Sequence, residues 1–329
     1  MESTKTRILK KLLETDGYLS GQELCEQLGV SRTAVWKYMK QLKEEGYEIE
    51  AVQNKGYCLK DVPDVLGESE IKSRLHTRWA GQTLYYYDEI DSTNTQIKRL
   101  AEEDAPHGTL AVADYQSKGK GRRGRAWDSP HGSAIYMSIL FRPEIRPDRA
   151  SMLTLVIGLS VTQAIRSNLG LRAQIKWPND VVLNGKKLVG ILTEMSAQMN
   201  YIEYLVTGIG INANLREFPE ELADKATSLQ KEIGHKVNRS ALIAECMKKI
   251  EENYETFVKT QDLSGLMAAY QEVLVNQDQQ VRVLEPGHEY TGVARGINAM
   301  GELLVEKEDG TVTEVYAGEV SVRGLYGYV

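Results

Sequence analysis

The chain has 329 residues, 42% of them hydrophobic and 26% charged, with a net charge of −6 at pH 7. That length exceeds what one hydrophobic core usually supports, so two or three domains are expected, and the acidic balance excludes a protein that coats nucleic acid or acidic membrane through bulk electrostatics. Cys25, Cys58 and Cys246 are scattered without C-x-x-C spacing, which fits a reduced, cytoplasmic setting, and the five histidines have no metal-ligand spacing. No apolar signal region opens the chain, and Met152 to Ile165 is too short and too interrupted by Ser and Thr to span a bilayer, so no membrane partner is expected.

Ile8, Leu9, Leu12 and Leu13 recur at helical spacing before Gly17. Ser20-Gly21-Gln22-Glu23 reads as a capping box for a short helix that Gly29 stops, and Ser31 caps a third helix with Val35, Met39 and Leu42 facing inward. Three helices with a tight corner between the second and third have helix-turn-helix organisation. Two short strand-like runs, 47–52 and 57–60, flank Gln53-Asn54-Lys55-Gly56 as a wing. Arg32, Thr33, Trp36, Lys37 and Lys40 point away from the core stripe, and 31–43 holds four cations and no acid. That face suits a DNA major groove. The ordinary alternative is a solvated protein-interaction face, and residues 1–60 do balance ten basic against nine acidic side chains.

Residues 61–67 read as a linker, which closes a first domain at 1–62 and opens a second at 63–276. An alternating strand pattern at 84–90 leads into Asp91-Ser92-Thr93-Asn94 at a strand-to-helix transition, where helix capping is the plain role. A buried strand at 109–115 delivers Gln116 to Gly119-Lys120-Gly121-Arg122-Arg123-Gly124-Arg125-Ala126-Trp127, nine residues with four cations, three glycines and an indole. Such a loop is built to hold an anion, because glycines let backbone N–H groups approach a phosphate and Arg offers forked donors. It fits G-x-G-x-x-G by letter, but Trp127 to Gly132 punctuates the chain where a dinucleotide fold needs a helix, and Arg125-Ala126 stands where a Walker A loop needs Lys then Ser or Thr.

A strand at 133–141 follows, then a helix over 149–169 that is apolar on one side. Next come Lys176-Trp177-Pro178-Asn179-Asp180 and a strand pair turned by Asn184-Gly185. Lys187 leads the outgoing strand just before Gly190, a position suited to neutralising a reacting carboxylate or phosphate, although an edge-strand lysine is more often solvated. Another strand at 201–211 carries Gly208 and Gly210 beside Asn212, and helices are expected at 239–259 and 265–275. From 277 to 329 short strands punctuated by glycines predict a small SH3-like β-barrel. The fold class is therefore α+β: a winged helix-turn-helix, a central mixed-sheet domain and a small barrel.

The ordered set Asp91 to Asn94, Gln116, Gly119 to Trp127, Lys176 to Asp180, Lys187 to Ile191 and Gly208 to Asn212 resembles biotin protein ligases. The winged helix and C-terminal barrel resemble the bifunctional members of that family, which also repress the biotin operon. The resemblance implies a catalytic domain shared with lipoate ligases, with biotin, ATP with Mg²⁺, and a carrier-domain lysine of carboxylases as substrates. It also implies operator DNA and a homodimer as partners. By the same resemblance Ser92, Thr93, Asn94 and Gln116 hold the ring end of biotin, while Lys120, Gly121 and Arg122 close over its carboxylate. Lys187 lies between carboxylate and α-phosphate, and Asp180 positions Mg²⁺. Arg123, Arg125, Trp127, Asn179 and Asn212 face the nucleotide. Many members carry arginine where this chain has Lys120, so a point charge replaces a planar fork there. Two alternatives remain open at this point, a lipoate-type ligase and a ligand-sensing transcription factor without chemistry.

Overall fold

The computed structural model describes residues 3–285, 288–317, 321–324 and 329. By packing, the chain divides into two units, Met1–His76 with Lys236–Ala244, and Thr77–His235 with Glu245–Val329. In the first unit α1 (Thr4–Glu14), α2 (Gly21–Leu28) and α3 (Arg32–Glu44) precede a two-stranded wing of β1 (Glu48–Val52) and β2 (Gly56–Asp61). Each helix begins where a serine hydroxyl accepts an otherwise orphaned backbone N–H: Ser3 from Thr6, Ser20 from Gln22 and Ser31 from Ala34. The expected capping box is replaced by a simple cap, since Ser20 accepts from Gln22 rather than from Glu23, and the Glu23 carboxylate accepts from Gln27 further along α2. Gly29, at φ 65°, ends α2 in the left-handed conformation that glycine adopts without strain. Ile8, Leu9, Leu24, Val35, Met39 and Leu42 form the buried core of this unit.

The segment that reads as a linker is packed against residues 238–240. Asp64 accepts the backbone N–H of Arg239 and pairs with its guanidinium at 2.9 Å, both side chains almost wholly buried. Asn238 donates to Pro63 O and Ser240 to Val65 O. Residues 236–244 therefore count with the winged helix, as does α4 (Glu68–Lys72).

The second unit is built on a seven-stranded sheet formed by β3 (Leu84–Ile90), β4 (Leu110–Gln116), β5 (Ile135–Phe141), β6 (Gln174–Lys176), β7 (Asp180–Leu183), β8 (Lys186–Ala197) and β9 (Ile202–Ile211). Their spatial order is β3-β4-β5-β9-β8-β7-β6. Only the β3/β4 pair is parallel, and it is bridged by α5 (Thr93–Glu102), whose Ile97, Leu100 and Ala101 pack on Ala111, Leu140 and Val206. Asn184 and Gly185 turn β7 into β8 with φ of 50° and 74°, the backbone that an Asn-Gly hairpin requires.

The helix α6 (Met152–Leu169) starts three residues later than the pattern suggested, after a 3₁₀ turn at Pro147–Arg149, and it is buried nearly all round rather than on one side. It is the one helix among the described residues long and apolar enough to cross a membrane, and its most apolar window is 72% buried in the protein. A helix without a polar face is a core helix when other elements cover it. The short helices α7 (Glu220–Ala223) and α8 (Leu229–Ile233) follow β9, and α9 (Arg239–Thr260) and α10 (Met267–Glu272) come next, α10 shorter than expected.

The C-terminal strands β10 (Gln280–Glu285), β11 (His288–Ile297), β12 (Leu303–Glu306), β13 (Val312–Val315) and β14 (Ser321–Gly324) pair antiparallel in the order β13-β12-β11-β10-β14. Trp177 anchors here. Its indole N–H donates to Gly301 O at 3.0 Å, its backbone N–H to Asn276, and the ring is 1% exposed.

Candidate active site

Two rows of residues across the sheet shape a small cleft that is partly open to solvent. In the first row Ser138 of β5, Gly208 of β9 and Leu192 of β8 stand in register, and two residues along Tyr136, Gly210 and Gly190 form the second, on the same face. The glycines are what make room. A Cβ at Gly208 would lie 2.2 Å from Asn94 Oδ1, while Cβ atoms at Gly190 and Gly210 would lie 2.6 and 2.7 Å from the Trp127 indole. Asn94 from α5 and Trp127 from the basic loop thus settle onto strands that lack side chains beneath them.

Around the first row the hydrogen bonds form one network. Gln116 Oε1 accepts from the Thr93 backbone N–H at 2.8 Å, and Gln116 Nε2 donates to Ser129 Oγ at 3.1 Å. Ser138 Oγ lies 2.7 Å from Thr93 Oγ1 and 2.6 Å from Asn94 Oδ1. Asn94 Nδ2 donates to Glu194 Oε2 at 2.8 Å and to Leu192 O at 3.3 Å. Burial alone would raise the Glu194 carboxyl, but hydrogen bonds from Lys98 and Asn94 outweigh it and hold it below the usual carboxylate range. Ser92 stands at the N-cap of α5 but makes no capping bond with its side chain, so its hydroxyl faces the cleft uncommitted to the helix.

The charges gather around Trp127, which lies on the second row. Lys187 Nζ sits 2.7 Å from Asp180 Oδ1 and 5.3 Å from the centre of the Trp127 indole, close enough for a cation–π contact. Because Lys187 is paired with Val182 of β7 on one side and bridged to Ala226 on the other, it is not an edge lysine, and its ammonium is held by Asp180 at the cleft. The basic loop makes a single 3₁₀ turn at Arg122–Gly124, with Arg123 at φ 56°, and no helix follows. Arg122 donates to Asn179 Oδ1 at 2.7 Å and to Ala317 O at 3.3 Å, so the loop is tied both to the turn after Pro178 and to the C-terminal segment. Burial pulls the Arg122 pKa down, with the Asp180 carboxylate partly offsetting it. Lys120 lies within 3.3 Å of Thr95 Oγ1.

The cleft gathers Ser92, Thr93, Asn94, Gln116, Lys120, Gly121, Arg122, Trp127, Asn179 and Lys187 of the expected residues. Arg123 faces an adjoining cavity that also reaches Tyr316, and Arg125 is exposed and borders neither. Asn212 lies outside the cleft lining, 7% exposed, and its amide donates to Thr227 O at 3.0 Å. Ser138 and Glu194 were missed. The signal for Ser138 was present, as the one hydroxyl other than Tyr136 in a strand every residue of which is buried; Glu194 carried none, since a glutamate late in a strand reads as solvated. In the first unit Arg32, Thr33, Trp36, Lys37 and Lys40 are all exposed along α3, with Trp36 61% accessible.

A winged helix with a cationic outer helix, joined in one chain to a mixed-sheet domain with a glycine-floored, lysine- and arginine-lined cleft, defines a DNA-binding protein that also carries a small-molecule ligase fold. The family model of the biotin/lipoate A/B protein ligases matches residues 86–212, an HTH domain model matches 4–58, and the biotin protein ligase C-terminal domain matches 278–323. The bifunctional ligase/repressor BirA of Bacillus subtilis is 39% identical over 326 residues, covering 98% of this chain and all of that one. The BirA protein of Escherichia coli is 32% identical over 313 residues, 95% of each. The solved biotin protein ligase of Aquifex aeolicus, in complex with biotin and ATP, aligns with a TM-score of 0.65 at 35% identity, covering 74% of this chain and 99% of that one. The chain belongs to the biotin protein ligase family, in its bifunctional ligase/repressor form.

Proposed function

We propose that the cleft condenses biotin with ATP to biotinyl-5′-adenylate and passes the biotinyl group to a lysine of a carboxylase carrier domain. In the first step a biotin carboxylate oxygen attacks the α-phosphorus, a P–O bond forms, and the bond to the β-phosphate breaks to release pyrophosphate. In the second the neutral carrier amine attacks the acyl carbon of the mixed anhydride, the amide forms, and AMP leaves. Ser92, Thr93, Asn94 and Gln116 receive the ring end of biotin. Lys187, once it exchanges Asp180 for substrate, lies between two anions that otherwise repel, and Lys120, Gly121 and Arg122 close over them. Trp127, Asn179 and Arg123 serve the nucleotide, and Arg125 approaches only if the loop rearranges. Water destroys a mixed anhydride, so the loop serves as a lid.

Among the described residues no three His, Cys, Asp or Glu side chains cluster as a metal site, and the carboxylate beside Lys187 is Asp180. That donor set does not fit a resident Mg²⁺ but fits one brought by ATP, whose phosphates supply most ligands. The ion would add charge neutralisation at the phosphates, with Asp180 contributing one oxygen.

The observation that carries this reading is the convergence of the Lys187 ammonium, the Arg122 loop and the Thr93–Asn94–Gln116 wall on one cleft. The repressor role rests on α3, whose exposed cations enter operator DNA, two copies reading two half-sites as a homodimer in the cytoplasm. Pyrophosphate release with ATP and either biotin or lipoate, followed by transfer to a purified carrier domain, tests the enzyme. Release with biotin alone is expected. Release only with lipoate would make it a lipoate ligase, and release with neither would leave a ligand sensor.

A further inference from the structure

Glu194 is a charged group beside the cleft that the chemistry above leaves without a task. It follows Gly190 and Leu192 on one face of β8, since side chains two apart in a strand share a face. Its two oxygens take donors from successive turns of α5. Oε2 accepts from Asn94 Nδ2 at 2.8 Å, and Oε1 accepts from Lys98 Nζ at 2.6 Å, four residues further along the helix. Burial favours the protonated acid, but these bonds from Lys98 and Asn94 keep it ionised, so both oxygens accept. Asn94 Nδ2 also reaches Leu192 O at 3.3 Å, while Asn94 Oδ1 accepts the Ser138 hydroxyl at 2.6 Å and rests on Gly208, where a Cβ would lie 2.2 Å away. A carboxylate and a backbone carbonyl only accept, so the reversed amide would set its oxygen against both. An amide oxygen has two lone pairs, and Ser138 takes one of them.

We propose that Glu194 is a positioning residue for ligand binding: by holding the Asn94 NH₂ group it fixes the sense of that amide, so that Asn94 offers an accepting oxygen in the cleft wall to an N–H of a cyclic urea. The inference deepens the biotin reading and rests on it. The two ends of an amide differ little in shape, and a serine hydroxyl accepts from NH₂ as readily as it donates to oxygen, so Ser138 by itself does not set the sense. With the carboxylate gone, the reversed amide becomes accessible, and a urea N–H then meets a donor and goes unpaired. The demand for two acceptors also explains the residue type. A glutamine at this position has one acceptor oxygen for two donors, Lys98 and Asn94. The Lys98–Glu194 pair itself, with side chains 34% and 28% exposed, is too solvated to anchor the helix strongly.

The test uses the full chain as wild type, Glu194→Leu, Lys98→Met and the double variant Lys98→Met/Glu194→Gln, in which the amide oxygen has only Asn94 to serve. Calorimetry gives the affinity for biotin, and pyrophosphate release gives the KM for ATP. Glu194→Leu is expected to weaken biotin about tenfold or more and to leave the KM for ATP within about twofold. Lys98→Met is expected to stay within about twofold on both measures, and the double variant to recover biotin to within about threefold of wild type. Unchanged biotin affinity in Glu194→Leu, with wild type binding biotin, would overturn the assignment alone. So would an equal loss for biotin and ATP, a loss in Lys98→Met matching that of Glu194→Leu, or a double variant no better than Glu194→Leu, because each marks Glu194 as a helix anchor only. Wild type that binds no biotin would sink the ligase reading itself and this inference with it.

Discussion

At the scale of the residue, Lys187 is the sharpest case of chemistry set by surroundings. Its ammonium is held by Asp180 at 2.7 Å and lies over the Trp127 ring, so it is oriented before any substrate arrives. Lys187→Ala should abolish adenylate formation without unfolding the protein, since no core is emptied; a transition-state loss of about 3 kcal/mol or more is expected. Single-turnover rates close to wild type would remove Lys187 from the reaction. His107 reports on stability instead. It is packed against Trp79, Tyr254 and Phe141 with centroid distances of 4.4, 5.1 and 5.8 Å, and its Nδ1 accepts the Arg142 backbone N–H. Burial, with the Arg142 charge adding, pulls its pKa from 6.5 to about 4. The unfolded chain therefore takes up this proton at a pH where the folded one refuses it. Stability from this site is full above about pH 6.5 and declines as pH falls through about 4. In His107→Asn, which keeps an acceptor and cannot titrate, thermal melts between those two pH values should show a shallower decline.

At the scale of the element, the loop from Gly119 to Trp127 folds back on itself through Gly121 N–H to Arg125 O and Trp127 N–H to Gly119 O. The guanidinium of Arg122 ties it to Asn179 and to Ala317 O. Arg122→Gly removes both contacts together with a charge over the reactive intermediate. Biotinyl-adenylate should then escape and label bystander lysines, which is measured as biotinylation of an added unrelated protein. Labelling confined to the carrier domain would count against the loop as a lid. The glycine rows act at the same scale, since Gly190 and Gly210 face each other across β8 and β9 and admit the indole that closes the loop onto the sheet.

At the scale of the molecule, ligand and DNA functions share one chain, and residues 1–60 carry nearly balanced charge. One winged helix then supplies little nonspecific affinity, so useful repression needs two half-sites read together. A ligand strengthens operator binding only if it favours the dimer-competent state, and ordering of the loop is the candidate difference. Operator affinity should rise in the order apo protein, biotin alone, biotin with ATP, and should grow with protein concentration. Equal binding in all three conditions would separate repression from biotin sensing.

Much of this was legible in the chain because it depends on neighbours in sequence. The serine caps, the Gly29 stop, the Asn184-Gly185 turn and the absence of a helix after the basic loop all follow from residues within a turn of one another. The apolar periods placed α3 and exposed its cations for the same reason. Contacts that tertiary structure alone decides are long in sequence. Asp64 meets Arg239 across 175 residues in a segment that reads as linker, and Glu194 meets Asn94 across 100. Asn212 donates to Thr227 O beyond the end of β9, and Ser138 meets Asn94 only because strand register sets it beside Gly208, where Asn94 descends. Local pattern specifies which elements form and which side chains they carry. Register and packing decide which of those side chains meet, because a pairing shifted by one residue sends every one of them to the other face.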